Sequence, residues 1–131
     1  MMKICLPSEL GYEKFAMLAV ATVAKQIGFD TKRIDDLKTA VAEAVTNAIE
    51  HGNQLNAEIN VLMAITLQET GLVLNIVDQG CQPIPEIPLE RQERADHRGW
   101  GLFLIKNLMD EVEVMAAPGR NEIRMVAYLQ N

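Results

Sequence analysis

The spacing of hydrophobic residues is helical in the first part of the chain and alternates in the middle. Apolar residues at positions 15, 18, 19, 23 and 27 recur at helical intervals and predict a helix over residues 9–27. Ser8 is a natural N-cap for that helix, and Gly28 ends it. The short apolar stretch 2–6 in front of it predicts an edge strand.

A second helix is predicted over residues 33–51, where apolar residues again line one face. Asp30 or Thr31 can cap its start. Gly52 follows the last helical residue and acts as the C-terminal stop.

Beyond Gly52 the apolar residues fall at every second position, as in strands that bury one face. A turn at 69–71 joins the first two of these strands, and Pro118-Gly119 joins the last two. Between the two pairs lie a long loop, rich in proline and glycine, and a third helix. The predicted elements are strands at 57–68 and 72–77, the loop at 78–97, a helix at 101–109, and strands at 111–116 and 122–129.

Three helices and five strands without a repeating strand–helix–strand unit indicate the α+β class. We expect a two-layer sandwich, in which a mixed, mostly antiparallel sheet carries the helices on one face. The length of 131 residues is enough for one domain with a proper core and too short for two. Residues 1–131 are therefore expected to form a single domain.

Charge and cysteine content exclude several classes of function. The 12 basic and 18 acidic residues give a net charge of −6, and no basic cluster is present to bind a nucleic-acid backbone. No stretch approaches the ~20 apolar residues of a membrane span, and the first residues do not form a signal peptide. Cys5 and Cys81 form no metal-binding motif, so reduced thiols are expected. These features indicate a cytoplasmic protein without direct nucleic-acid or membrane contact.

Three polar residues form a row on the second predicted helix. Glu43, Asn47 and His51 recur every four residues, so on an α-helix they project from nearly the same side, next to the apolar stripe. A half-buried carboxylate needs a partner or a function, and an amide oxygen suits Mg²⁺ beside phosphates. Taken alone, the row is also compatible with the solvated face of an amphipathic helix.

Two glycine-containing segments allow a ligand to approach closely. Asp78 stands at the end of a predicted strand, and Gly80 follows two residues later. The pair combines a carboxylate with a glycine, which has no side chain to keep a ligand away from the backbone. Gly99 and Gly101 open the helix after the long loop, where free backbone N–H groups form an anion site. Each motif is weak alone, but the order of all of them along the chain is unlikely to arise by chance.

In this order the motifs resemble those of the GHKL nucleotide-binding superfamily, and most closely its bacterial anti-sigma factor serine/threonine kinases. The resemblance is carried by AVAEAVTNAIEHGN at 40–53, IVDQG at 76–80 and RGWGLFLIKNLMDEVEV at 98–114, and it spans nearly the whole chain. It implies the Bergerat ATP-binding fold, ATP and Mg²⁺ as cofactors, and a homodimer.

The resemblance implies a role for each residue of the helical row. Asn47 would ligate the Mg²⁺ that bridges the ATP phosphates. Glu43 would act as the general base or orient the attacking group. His51 would lie beside the nucleotide.

The glycine segments take the remaining roles that the resemblance implies. Asp78 would bind the adenine amino group, while Gly80 passes close to the ring. Gly99 and Gly101 would let the loop fold over the phosphates, and Leu102 follows them at the nucleotide in the same motif. Residues 81–98 would form the ATP lid.

One position departs from the family pattern. Many relatives carry a Gly-Thr pair before the last strand, and its threonine helps to read adenine. Here Gly119 is followed by Arg120 and Asn121. The adenine contact is therefore lost unless Asn121 replaces the threonine.

Two functions are compatible with the resemblance. In the first, the protein is an ATP-dependent serine/threonine kinase that sequesters a sigma factor and phosphorylates a small anti-sigma-factor antagonist. In the second, it is an ATP-regulated binding module that sequesters its partner with little or no kinase activity. The presence of Glu43 favours the first, and the missing threonine favours the second. The predicted helix 9–27 is a candidate surface for a partner or for dimerisation.

Overall fold

The computed structural model of the chain describes residues 1–79 and 98–129, with the backbone alone at 98–100. Five strands and three α-helices lie in this described part of the chain. In chain order they are β1 (Met2–Pro7), α1 (Glu13–Ile27), α2 (Thr31–Asn47) with a π-helical turn that continues it (Ala48–Gly52), β2 (Asn60–Gln68), β3 (Gly71–Asp78), α3 (Arg98–Leu108), β4 (Glu111–Ala117) and β5 (Arg120–Tyr128).

The five strands form one sheet in the order β1-β2-β3-β5-β4. The predicted α+β class and the edge position of β1 are confirmed. Every pairing of the described strands is antiparallel, so the sheet is not mixed. Tight turns join β2 to β3 and β4 to β5, and a strand that returns through a short turn can only pair antiparallel.

One face of the sheet carries the helices and forms the core. Leu74 on β3 pairs with Ile65 on one side and Met125 on the other, and all three side chains are buried. Opposite them, α1 buries Ala16, Val20 and Ala24, and α2 buries Leu37, Ala40, Val41, Ala44 and Val45. None of the described helices combines the length and the apolar character that crossing a membrane requires.

The start of α1 differs from its prediction. Ser8 does not cap the helix; its hydroxyl donates a hydrogen bond to Ile59 O at 2.5 Å, and the helix begins only at Glu13. Phe15 and Leu18 keep the helical period, yet they are 58% and 63% exposed. The buried side of the helix runs instead through its small residues, which let α1 pack closely on α2.

The start of α2 agrees with its prediction. Asp30 precedes the helix, and its Oδ1 accepts a hydrogen bond from Arg33 N at 2.8 Å. This bond satisfies one of the backbone donors that a helix start leaves without an internal partner. The cap fixes the direction in which α2 leaves the α1–α2 turn, toward the end of the sheet where the motif residues lie.

Candidate functional site

Two residues of the polar row lie against the start of α3. A Cβ atom placed on Gly101 would come within 2.9 Å of Glu43 Oε2 and 3.3 Å of Asn47 Nδ2. Any side chain at position 101 would therefore press on the carboxylate and the amide. The fold thus brings residues from two of the sequence motifs into direct contact.

The side chain of Asn47 has an unused hydrogen-bonding group. Its Nδ2 atom is buried and has no hydrogen-bond partner among the residues that the structure describes. Leaving such a group without a partner costs about 1–3 kcal/mol, which a ligand or water could offset. Because a carboxamide carries an oxygen on its other arm, a rotation of the group presents that oxygen at the same place.

This donor set fits a magnesium ion that is shared with phosphates. Mg²⁺ usually takes one or two protein oxygens and completes its shell with water and substrate phosphates. The described residues contain no group of three His, Cys, Asp or Glu side chains that would form an all-protein metal site. A single oxygen from Asn47 is therefore the kind of contact to expect from a metal that arrives with a nucleotide.

The carboxylate of Glu43 is half-buried and has a raised pKa. Burial is the main cause of the increase above the ordinary value of 4.5, and the negative charge of Glu50 adds to it. A raised pKa makes the ionised carboxylate a better proton acceptor near neutral pH. The environment of Glu43 is therefore suited to a general base.

The row does not continue regularly to His51, because α2 changes to a π-helical turn after Asn47. In this turn Asn53 N donates to Ala48 O, five residues back, at 2.8 Å. Each residue of a π turn rotates less about the axis than in an α-helix, so the prediction of an α-helix through His51 is wrong here. His51 Nε2 instead lies 3.8 Å from Glu50 Oε2.

Asp78 ends β3 on the face of the sheet that carries the helices. Its register partner on β5 is Asn121, whose Nδ2 donates to Asp78 Oδ1 at 3.1 Å. Asp78 is 5% exposed and Asn121 2%. The carboxylate packs directly on Gly52, where a Cβ atom would overlap it. Gly52, predicted only as a helix stop, is thus also required for the close approach of Asp78.

The structure describes the remaining predicted residues to different extents. The side chain of Leu102 is fully buried in the core, so a contact with nucleotide would come from its backbone. Gly99 lies in the first turn of α3. Gly80 and residues 81–97 of the predicted lid lie outside the described residues.

A cavity of about 410 Å³ lies at the other end of the sheet, between the α1–α2 turn and the end of β5. Tyr128, which lines it, pairs with Gly71 at the start of β3, whereas Asp78 ends that strand. In this cavity Arg33 donates to Asp110 Oδ2 at 2.7 Å, so these two charges already bond each other. The cavity is therefore separate from the candidate site, which lies at the end of the sheet that carries Asp78.

Comparison with known proteins identifies the family. Residues 6–127 match the family described as the histidine kinase-like ATPase domain. The chain belongs to this family. The recognition of a GHKL-type ATP-binding domain from the sequence motifs is thereby confirmed.

Curated relatives of this histidine kinase-like ATPase domain are named as a serine-protein kinase or as anti-sigma factors. The serine-protein kinase RsbW of Oceanobacillus iheyensis is 33% identical, over 83% of this chain and 75% of the relative. The anti-sigma F factors of Bacillus thuringiensis and Bacillus cereus are each 33% identical, over 91% of this chain and 86% of theirs.

Solved structures share the fold at lower identity. The structure of the RsbU and RsbW domains of Rv1364c from Mycobacterium tuberculosis matches 99% of this chain with a TM-score of 0.71 and 19% identity. The chain spans only 34% of that structure's length. The histidine kinase domain from the Erythrobacter litoralis EL346 blue-light activated histidine kinase matches 91% of this chain with a TM-score of 0.57 and 17% identity. Both matches bear on the fold alone.

Proposed function

We propose that this protein is an ATP-dependent serine/threonine kinase that sequesters a sigma factor and phosphorylates the antagonist of that sequestration. The observation that carries the proposal is the contact of Gly101 with Glu43 and Asn47, which joins a candidate base and a candidate metal ligand to a glycine-rich helix start. The names of the curated relatives supply the class of partner.

The base of ATP would be bound at the end of β3. The Asp78 carboxylate would accept a hydrogen bond from the exocyclic amino group of adenine. Asn121 donates to the same carboxylate and so fixes its orientation. This bond supports Asn121 as the replacement for the threonine that related proteins carry near this position.

The phosphates would lie between α2 and the start of α3. Backbone N–H groups at Gly99, Gly101 and Leu102 stand near the N-terminus of α3, where the helix favours negative charge. A Mg²⁺ ion bound with the nucleotide would neutralise charge on the phosphates, and the side-chain oxygen of Asn47 would hold it.

Glu43 would accept the proton of the attacking serine or threonine hydroxyl of the antagonist. The hydroxyl oxygen then forms a bond to the γ-phosphorus, and ADP leaves with the electrons of the broken bond. Since phosphoryl transfer asks little covalent chemistry of the protein, the other site residues act by positioning and by charge neutralisation.

The proposal also covers the binding partners of the protein and its location in the cell. Leu10, Phe15 and Leu18 on and before α1 are 57%, 58% and 63% exposed, an apolar surface that a partner or a second copy could cover. A homodimer and binding to the sigma factor and the antagonist are part of the proposal. The protein would act in the cytoplasm, where ATP is available.

The decisive experiment is transfer of labelled γ-phosphate to each candidate antagonist encoded in the same genome. Glu43→Gln should lower the transfer rate by about 10²–10⁴-fold and leave the Kd for Mg-ATP unchanged, because a general base acts on the reaction and not on binding. Glu111→Gln, which changes an exposed glutamate on β4, is the matched control and should keep the rate. Wild-type protein that binds Mg-ATP but labels no antagonist would instead support the sequestering module without kinase activity.

A further inference from the structure

A buried polar side chain that the proposed reaction does not use joins the helix end to the sheet. Asn53 directly follows Gly52 and is 0% exposed. Its Oδ1 accepts a hydrogen bond from Gln79 N at 2.7 Å. Its Nδ2 donates to Ser8 Oγ at 3.0 Å and to Asn60 O at 3.3 Å. Both arms of the amide are therefore engaged inside the protein.

The partners of Asn53 stand at the same end of three adjacent strands. Ser8 follows the last residue of β1, Asn60 begins β2, and Gln79 follows the last residue of β3. The strands β1, β2 and β3 are neighbours in the sheet. The Ser8 hydroxyl donates in turn to Ile59 O, just before β2. One amide thus ties the π-helical turn to three strand ends.

This arrangement fixes the residue next to Asp78. The Asn53 amide holds the backbone at Gln79, one residue past Asp78, while the Asp78 carboxylate packs on Gly52. The same turn continues α2, which carries Asn47. Asn53 thus links the backbone next to Asp78 to the helical segment that carries Asn47.

The backbone beyond Asn53 reverses in an unfavourable conformation. Gln54 and Leu55 have φ angles of 52° and 59°, in the left-handed region that non-glycine residues rarely adopt. Neighbouring bonds must hold such a reversal in place. The Asn53 amide, bonded on both arms, is the side chain immediately before it.

We propose that Asn53, held by Ser8, is a positioning residue for nucleotide recognition that sets Asp78 at the correct distance from Asn47. The inference rests on the proposed ATP site and deepens it. It names the group that keeps the base end and the phosphate end of that site at the correct distance from each other. Without Asn53, the carboxylate would keep its bond to Asn121, but the backbone next to Asp78 would lose the bond that sets its position opposite the adenine amino group.

The test compares the binding of Mg-ATP with that of Mg-ITP, whose base lacks the exocyclic amino group. Wild type should prefer ATP, and Asp78→Ala should remove the preference. Asn53→Ala should raise the Kd for Mg-ATP by about tenfold and change the Kd for Mg-ITP much less, while kcat at saturating ATP stays within about twofold. Asn53→Asp keeps an oxygen that can accept from Gln79 N and should restore part of the preference.

A residue that only stabilises the fold would give a different result. Asp110→Ala serves as the control, since it removes bonds to Arg33 and to Tyr128 N at the opposite end of the sheet. It should lower Tm and leave the ratio of the two Kd values unchanged. If Asn53→Ala lowers Tm and likewise leaves that ratio unchanged, the inference is overturned.

Ser8→Ala provides an independent measurement. It removes the hydroxyl that accepts from Asn53 but keeps the bond to Gln79, so it should shift the ratio in the same direction and less far. If Asn53→Ala does not fold, an unchanged ratio in Ser8→Ala overturns the inference. If wild type binds neither nucleotide, the proposed function itself fails.

Discussion

At the scale of single residues, Glu43 is where function and stability oppose each other. Burial, and secondly the charge of Glu50, raise its pKa above 4.5. A raised pKa suits a general base, but it also means that the folded protein disfavours the ionised carboxylate. Such a group is retained in a protein when its reactivity compensates for the stability that it removes.

The raised pKa predicts that Glu43→Gln stabilises the protein at neutral pH. For an acid whose folded pKa exceeds its unfolded value, the stability cost is full above the folded pKa and vanishes below the unfolded one. Urea unfolding at about pH 7 should therefore give the variant a higher free energy of unfolding. We expect about 0.5 kcal/mol, because water screens a half-exposed group. The difference should disappear as the pH falls below 4.5, the ordinary pKa of a glutamate. Equal stability of both proteins at every pH would contradict this account.

The pH dependence of the transfer rate gives a second prediction for the same carboxylate. If Glu43 must be ionised to accept a proton, the rate rises with pH through its raised pKa. Glu50→Gln removes one of the two causes of that increase and should move the rising limb to lower pH. Rate profiles of wild type and Glu50→Gln, measured at saturating Mg-ATP, test this. Coinciding profiles would mean that another group sets the limb.

Single residues differ in how much of their role the sequence reveals. The sequence predicts Glu43 and Asn47 as candidate site residues because a polar row beside an apolar stripe is visible in the spacing alone, and their roles stay predictions. Asn53 was not found, since a polar residue after a glycine stop is typical of a loop. Its burial comes from Ser8, Asn60 and Gln79, and two of these are far away along the chain. Only the folded sheet brings them together.

At the scale of elements, two glycines set how closely α2 and its π-helical turn approach their neighbours. Gly52 admits the Asp78 carboxylate from β3, and Gly101 admits Glu43 and Asn47 from α2. The first contact lies at the base end of the proposed site and the second at the phosphate end. Alanine at each position should therefore affect a different property.

Gly52→Ala should weaken binding, and Gly101→Ala should slow transfer. A Cβ atom at 52 overlaps the carboxylate that would hold adenine, so we expect the Kd for Mg-ATP to rise about tenfold or more. A Cβ atom at 101 would press more closely on Glu43 Oε2, at 2.9 Å, than on Asn47 Nδ2, at 3.3 Å, so kcat should fall more than affinity. Titration calorimetry and single-turnover transfer separate the two effects. Equal effects of both variants on Kd and kcat would argue against a separate base end and phosphate end of the proposed site.

The elements themselves were largely predictable from periodicity, while their ends were not. Alternation predicted the described strands that follow Gly52, because their apolar residues at every second position face the core, buried in β2, β3 and β5 and partly buried in β4. The start of α1 was placed too early, since Ser8 bonds to Ile59 across the fold instead of capping the helix. The π-helical turn was missed because its hydrogen bonds and its smaller rotation per residue leave no mark in the apolar pattern of so short a segment.

At the scale of the whole molecule, the site belongs to no single element. Asp78 comes from the sheet, Asn47 from α2 and Gly101 from α3, and all lie at the helix-covered side of one end of the sheet. The α+β class followed from the predicted helices and strands, and the family followed from the order of the motifs. The sequence predicted a mostly antiparallel sheet, and only the observed pairing shows that all the described strands pair antiparallel. A ligand that touches all three elements should stabilise the molecule as a unit.

Mg-ATP should therefore raise the thermal stability of the whole domain. A ligand that binds only the folded state contributes about 2.7 kcal/mol at a concentration of 100 Kd. Melting curves with and without Mg-ATP test this, and the fluorescence of Trp100, the single tryptophan, reports on the start of α3. Asp78→Ala should show much less nucleotide-induced stabilisation at the same concentration, whereas Glu43→Gln should keep it. Neither a Tm increase nor a fluorescence change in wild type at millimolar Mg-ATP would mean that Asp78, Asn47 and Gly101 do not form one nucleotide site.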